Sequence, residues 1–395
     1  MKKTFSQIGI ITLTATMLTA CDKDDNPAPP STQLRPTIDY ASLTATSNYF
    51  ETFKDAAGAT TVNFDGQTTR QDMLAELNSL MSSGSKGTIV DSAKLSNMFA
   101  NTGSAFTNAA LNAATDKTLK SKTASSFAAA DADAERQKFE KWFGIIADAS
   151  KSTVPAADGQ AGIATGTADA TKKYLVDAKG IEYGQLVQKG LIGACFFDQI
   201  VNTYLGTDKM SADNKTVVSG KNYTQLEHHW DEAYGYVTKN ATFPLRINGA
   251  AQERFLGGYL RQVADSTNFF LAFSKGRAAI VNGDNATRDA QIAFIRTKAE
   301  DAIAKLGVSY LNKTAKAIVA NDPAVAMHNF GEGLGFVYSL RFAHNAKVNK
   351  AKSDEYINKL IGTKGFYSLT SATINEVKKA IADTFGFADT YETGH

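Results

Sequence analysis

The stretch Thr68-Thr69-Arg70-Gln71-Asp72-Met73-Leu74-Ala75-Glu76-Leu77-Asn78-Ser79-Leu80-Met81-Ser82 decides the fold class. Met73, Leu74, Leu77, Leu80 and Met81 recur at three- and four-residue intervals, which gathers them on one stripe of a helix, and Gly84 just beyond is a stop. The spacing predicts an amphipathic helix of about four turns. The same period returns at 139–146, with Trp142 and Phe143, and at 183–205, 223–237, 251–273, 287–306, 324–341 and 371–385. Past Thr37 only Pro155, Pro244 and Pro323 interrupt a chain rich in Ala, Leu, Lys, Gln and Glu, so long helices are the expected result. No set of alternating strands bounded by hairpin dipeptides competes with them. The expected fold is all-α, an antiparallel helical bundle over 38–395 that divides, if it divides, into halves 38–210 and 211–395. Two stretches low in large apolar residues, 106–132 and 150–171, are expected to be an Ala/Ser/Thr-rich connection and a Gly/Ala/Thr-rich surface loop.

Ahead of the helices, Met1-Lys2-Lys3 and the apolar run Ile8–Ala20 have the basic start, short apolar middle and small-residue end of a secretory signal over 1–20. The run is too short for a stable transmembrane helix. Its end, Leu18-Thr19-Ala20-Cys21, resembles the bacterial lipobox, which implies that Cys21 becomes the lipidated first residue of a lipoprotein anchored in the membrane by its acyl chains. Residues 21–37, charged and then proline-rich, read as a semi-extended spacer. Lys23-Asp24-Asp25 resembles an export tag for the outer face of the outer membrane. A lipid-anchored position at the cell outer membrane, facing either the surface or the periplasm, is the expectation.

Charge narrows the function. The chain has 42 Lys and Arg against 40 Asp and Glu, and taking away Lys2 and Lys3 with the signal leaves 40 against 40. A balanced surface has no large cationic field, so nucleic acid is not an expected partner. No Gly-x-Gly-x-x-Gly or Walker pattern opens a strand-to-helix turn, so neither is a nucleotide. Two cysteines, Cys21 and Cys195, make no disulfide framework, and Cys195 inside Gly193-Ala194-Cys195-Phe196-Phe197 reads as a small buried hydrophobe.

Two helices share a pattern. His228-His229-Trp230-Asp231-Glu232-Ala233-Tyr234-Gly235-Tyr236 and His328-Asn329-Phe330-Gly331-Glu332-Gly333-Leu334-Gly335-Phe336 both read His-x-aromatic-x-Glu-x-x-Gly-aromatic. Residues four apart share a helix face about 6 Å apart, which sets His228 beside Glu232 and His328 beside Glu332. Gly235 and Gly335 leave room for a crossing helix. An imidazole and a carboxylate one turn apart can both ligate a cation, or the carboxylate can orient the imidazole, so His228, His229, Glu232, His328 and Glu332 are the candidate metal ligands for a divalent or ferric ion. If the pairs converge near a pseudo-twofold axis they supply four ligands; otherwise they form separate, equivalent sites. The alternative reading makes each pair a satisfied hydrogen bond that fixes helix packing. Trp230, Tyr234, Phe330 and Phe336 are expected core aromatics, and His344 a surface or interface group.

The stretches Asn63–Arg70, Gln188–Ala194, His229–Tyr236 and Gly335–Arg341 are similar to an uncharacterised bacterial lipoprotein family, domain of unknown function 4856. His229-Trp230-Asp231-Glu232 also resembles the Gly-x-His-x-x-Glu hallmark of the imelysin-like proteins, all-α lipoproteins built as two related bundles, although Glu227 stands where the hallmark has glycine. That resemblance implies an association with outer-membrane iron-uptake systems, with a transport complex as partner. The expected function is a tethered protein that binds a metal ion or metal-bearing ligand. The alternatives are a helical scaffold for a partner protein and an imelysin-like metallopeptidase with Glu232 or Glu332 as general base. Gly-x-Ser-x-Gly and His-Glu-x-x-His are both missing, which weighs against the common hydrolases. Arg246, Arg254, Arg261 and Arg277 are expected to be solvated stems covering apolar surface.

Overall fold

The computed structural model describes residues 34–245, 253–263 and 265–393. The signal segment, Cys21, most of the spacer, Arg246 and His395 lie outside them. Past the short α1 (Tyr49–Thr52), α2 (Asp65–Ser83) starts a turn earlier than the periodicity predicts and buries Met73, Leu74, Leu77 and Met81 as the stripe requires. It is followed by α3 (Ser92–Ala100), the single turn α4 (Ala109–Ala113) and α5 (Ala129–Ser150), which begins inside the Ala-rich stretch. The Gly/Ala/Thr-rich segment is not all loop. It carries β1 (Gly162–Thr165), paired antiparallel with β2 (Lys173–Val176) in register Ile163 to Leu175.

The second part of the chain opens with α6 (Tyr183–Leu191), which runs on through wide π-helical turns at Ile192–Phe197 and Gln199–Tyr204. Then come α7 (Thr207–Met210) and α8 (Gln225–Val237), whose N-terminus is a capping box: the Thr224 hydroxyl accepts from the Glu227 amide at 3.1 Å and the Glu227 carboxylate from the Thr224 amide at 2.7 Å. The expected single helix over 251–273 is two, α9 (Phe255–Val263) and α10 (Ser266–Asn282), because the Asp265 side chain accepts the Asn268 amide and starts a new helix there. α11 (Asn285–Val319) runs well past the end of its expected stripe at Leu306, and Pro323 at the first turn and Asp322 as cap define α12 (Pro323–Ser339). α13 (Lys350–Ile361) and α14 (Ser371–Phe385) complete the bundle.

α12 lies at the centre, packed along α11 and α6, and α10 packs on α11, while α8 packs on α2 and α10. One apolar core runs from Tyr49 to Ile381, across the 210/211 boundary. Trp230, Tyr234, Phe330 and Phe336 are all within it, fully buried, and the Trp230 indole donates to the Phe273 carbonyl at 2.9 Å. No described helix is long and apolar enough to cross a membrane.

Arg277 departs from the expectation of a solvated stem. Its guanidinium is fully buried and donates to Asp231 at 3.0 Å, Glu227 at 3.0 Å and the Thr61 hydroxyl at 3.1 Å. Arg35 reaches Glu227 at 2.6 Å and the Tyr49 hydroxyl donates to Asp231 at 2.9 Å. Two cations facing two carboxylates keep the cluster neutral, which is what allows it to be dry. The acids sit on α8 and the arginine on α10, so no local spacing announces the pair.

Candidate functional site

The two His/Glu helices form two separate sites of matched geometry. On α8, His228 Nε2 lies 3.8 Å from Glu232 Oε2; on α12, His328 Nε2 lies 3.7 Å from Glu332 Oε2. In each, the other ring nitrogen is held by an acceptor: His228 Nδ1 by the Asn63 carbonyl at 3.0 Å, and His328 Nδ1 by the Glu182 carboxylate at 2.6 Å. Each imidazole is also stacked on a tyrosine ring, His228 on Tyr223 at 4.7 Å and His328 on Tyr174 of β2 at 4.4 Å. Among the described residues the two pairs share no hydrogen-bonding partner, and no group of three or more His, Cys, Asp or Glu side chains brings them together as ligands of one ion.

The helices crossing them are matched too. α2 crosses α8 where a Cβ on Gly235 would stand 2.5 Å from the Phe64 Cβ, and α6 crosses α12 where a Cβ on Gly335 would stand 2.5 Å from the Lys189 Cβ. Both crossing helices carry a Gly-Gln dipeptide in their first turn, Gly66-Gln67 and Gly184-Gln185. Gln67 Nε2 and the Tyr204 hydroxyl each donate to Glu232 Oε1 at 3.1 Å. At the second site the Lys189 ammonium takes that position, 2.6 Å from Glu332 Oε1, and is held by the Gln185 and Gln188 side-chain oxygens.

Charge separates the two sites. Burial works against ionisation of Glu332, yet Lys189 and His328 outweigh it and hold the carboxyl below the usual carboxylate range. Burial likewise works against protonation of His328, but the Glu182 carboxylate prevails and raises its pKa. The Tyr259 phenol, pushed far up by burial, also hydrogen-bonds Glu332. His328, Tyr174, Glu182 and Gln185 line a cleft of about 180 Å³ whose other wall is apolar, with Met81, Ile145 and Ile146.

His229 takes no part in either pair. Its Nδ1 meets the Lys209 carbonyl at 3.0 Å, which ties α8 to α7, and its Nε2 meets the Gln225 amide nitrogen at 2.8 Å one turn back on α8, so both ring nitrogens are occupied, and burial lowers its pKa. His344 is half-buried, with Nδ1 3.1 Å from the Asn202 side-chain oxygen. Cys195 is fully buried and its thiol is pushed up to about 12 by burial, as a packing residue should be. Among the described residues no group of three or more His, Cys, Asp or Glu side chains is placed to hold a metal ion. Glu182 and Glu332 meet opposite nitrogens of His328 and so cannot close on one ion from the same side. Sequence reasoning missed Glu182, Lys189, Tyr174 and Tyr223; the repeated Gly-Gln dipeptide was the signal that could have led to the two crossing helices.

These features define a class: an all-α bundle with two crossing-helix modules, each presenting a tyrosine-stacked histidine and a carboxylate one turn on. Residues 49–388 match the family model described as Domain of unknown function (DUF4856), and the chain belongs to that family. No curated protein and no solved structure matches it.

Proposed function

We propose that this is a lipid-tethered protein of the outer membrane, anchored through Cys21, that captures a metal-bearing ligand beside an iron-uptake complex, with His328 as the contact in the cleft. What supports this reading is the pairing of each imidazole's Nδ1 with a fixed acceptor. A carboxylate or carbonyl on one ring nitrogen sets the tautomer and leaves the other nitrogen, which faces the carboxylate one turn on, as the ligand atom. Nε2 and the nearby carboxylate then offer two donors, too few for a bare ion and enough to complete the shell of a metal already held by a chelator. Lys189 beside Glu332 disfavours a free cation and tolerates an anionic chelate. Calorimetric titration of the full chain with ferric citrate and, separately, with zinc chloride tests this. Saturable binding of the chelate at one or two per chain, lost in His328→Ala and retained in His344→Ala, is the expected result; a folded protein that takes up neither removes the proposal.

The second reading is a helical scaffold for a partner protein. It is favoured by the engagement of Glu232 with Gln67 and Tyr204 and of Glu332 with Lys189, which makes each carboxylate a packing element. The same engagement leaves neither glutamate free as the general base a metallopeptidase needs. On the scaffold reading His328→Ala lowers the melting temperature and leaves ligand titrations flat in variant and parent alike.

A further inference from the structure

The cleft beside His328 offers more room, and more particular walls, than contact between one imidazole and a metal requires. It lies among the C-terminal ends of α2 and α5, β2 and the first turn of α6, and holds about 180 Å³. A cavity of about 150 Å³ lined by Leu, Ile and Phe takes up benzene, so this space admits one six-membered ring and little more. Met81, Ile145, Ile146 and Leu175 form its apolar wall. Tyr174 and Tyr183 add two aromatic rings, and Trp142 stands 6.4 Å from the second of them. A thioether and offset aromatic faces suit an arene better than a saturated ring.

Two polar atoms at the start of α6, three residues apart, are open to a ligand in the same cleft. Glu182 Oε2 holds His328 Nδ1, and although Glu182 stands at the N-cap of α6 it caps no amide, so among the described residues its Oε1 receives no hydrogen bond. Gln185 gives its side-chain oxygen to the Lys189 ammonium, which leaves its amide nitrogen as a donor with no acceptor among the described residues. Neither atom is among the sealed, unpaired polar atoms of the interior, so both stay within reach of solvent. Charge on the lining balances, with Glu182 and Asp177 offset by His328 and Lys173. An ion gains little from such a lining, whereas one hydroxyl can donate to Glu182 Oε1 and accept from Gln185 Nε2. We infer that the ligand of the His328 cleft carries a phenol-type ring, its hydroxyl between Glu182 Oε1 and Gln185 Nε2 and its face against Met81 and Ile145. This rests on the reading of the cleft as the ligand site and specifies the organic part of the metal-bearing ligand.

Saturation-transfer NMR on the full chain, with phenol, toluene, cyclohexanol and naphthol as probes, tests it. The expected result is saturable transfer to phenol, half-saturating at a concentration tenfold or more below that of the other three, and weakened tenfold or more both in Ile145→Ser and in Ser85→Phe, which fills the cleft from its rim. Both positions are half-buried and lie on different elements, and circular dichroism melting identifies a variant that fails to fold, so one failure leaves the other to decide. Phenol carries no metal, so its uptake is read apart from that of ferric citrate. Phenol bound and ferric citrate refused supports the ring and removes the metal; ferric citrate bound and phenol refused overturns the ring alone; refusal of both removes both. Phenol binding that ignores both substitutions, or is no tighter than that of the other three probes, also overturns the inference.

Discussion

Lys189 on α6 and Glu332 on α12 are ion-paired at 2.6 Å with side chains only 3% and 8% exposed. A pair so far from water is held by both members, and removing one strands the other. Lys189→Met should therefore destabilise the protein by about 3–5 kcal/mol, the usual cost of an orphaned buried charge. Adding Glu332→Gln should recover a large part of that loss. Urea unfolding of the two single variants and the double variant gives the coupling energy, and strictly additive losses would show that the pair does not act as one.

The buried cluster around Arg277 makes the same demand with two acids. Arg277→Met leaves Glu227 with Arg35 and Asp231 with only the Tyr49 hydroxyl, in a site with no solvent. A loss of about 3–5 kcal/mol, read from denaturant unfolding as midpoint times slope, is expected, and a near-neutral result would contradict the charged pairing of Arg277 with Asp231. Burial raises the Asp231 pKa and Arg277 and the Tyr49 hydroxyl work against that rise, so the charged form depends on both.

Asp198 gives a pH dependence whose sign is fixed. Burial lifts its pKa from 3.8 to about 6, against hydrogen bonds from Ser126 and Asn202. The folded protein then holds a proton between those values that the unfolded chain has released, so this group's contribution to stability is full below pH 4, declines as pH rises to about 6 and is flat above. Two pKa units correspond to about 3 kcal/mol at most. Asp198→Asn should flatten that part of the stability profile; melting temperatures measured from pH 4 to pH 7 in variant and parent would show it.

Two glycines should respond in opposite senses to the same change. A Cβ at Gly335 would stand 2.5 Å from the Lys189 Cβ and 3.2 Å from the Leu186 carbonyl, whereas one at Gly144 within α5 meets nothing within 4 Å. Gly335→Ala should cost about 1–3 kcal/mol through forced displacement of α6. Gly144→Ala should stabilise by roughly 0.5–1 kcal/mol through helix propensity. Thermal melts of both variants test the pair, and a neutral Gly335→Ala would contradict the close crossing.

The sequence reveals elements whose signals are local. Ser371–Phe385 begins after a Thr370 cap and ends at Gly386, so α14 matches its periodicity residue for residue. The β1 and β2 strands escape because Gly-Ile-Ala-Thr and Lys-Tyr-Leu-Val are each too short to show an alternation that could be read. Asp265 divides a continuous apolar stripe by a cap that the periodicity conceals. In the sites, the His/Glu spacing within one helix is legible and the partners are not: Glu182 lies 146 residues from His328, and Asp231 lies 46 from Arg277. Pairings of that kind depend on which helices cross, which one helix's pattern does not contain.

The stacked rings of His328 on Tyr174 and His228 on Tyr223 give the molecule built-in spectroscopic labels. An imidazole parallel to an aromatic ring 4.4–4.7 Å away lies in that ring's shielding cone, so its carbon-bound protons resonate upfield of those of His229 and His344, whose tyrosine neighbours are tilted or absent among the described ring contacts. Each module can thus be watched separately in a one-dimensional proton spectrum. A ligand or paramagnetic centre reaching one cleft would mark one histidine and leave its counterpart, a hundred residues away in the chain, as the internal reference.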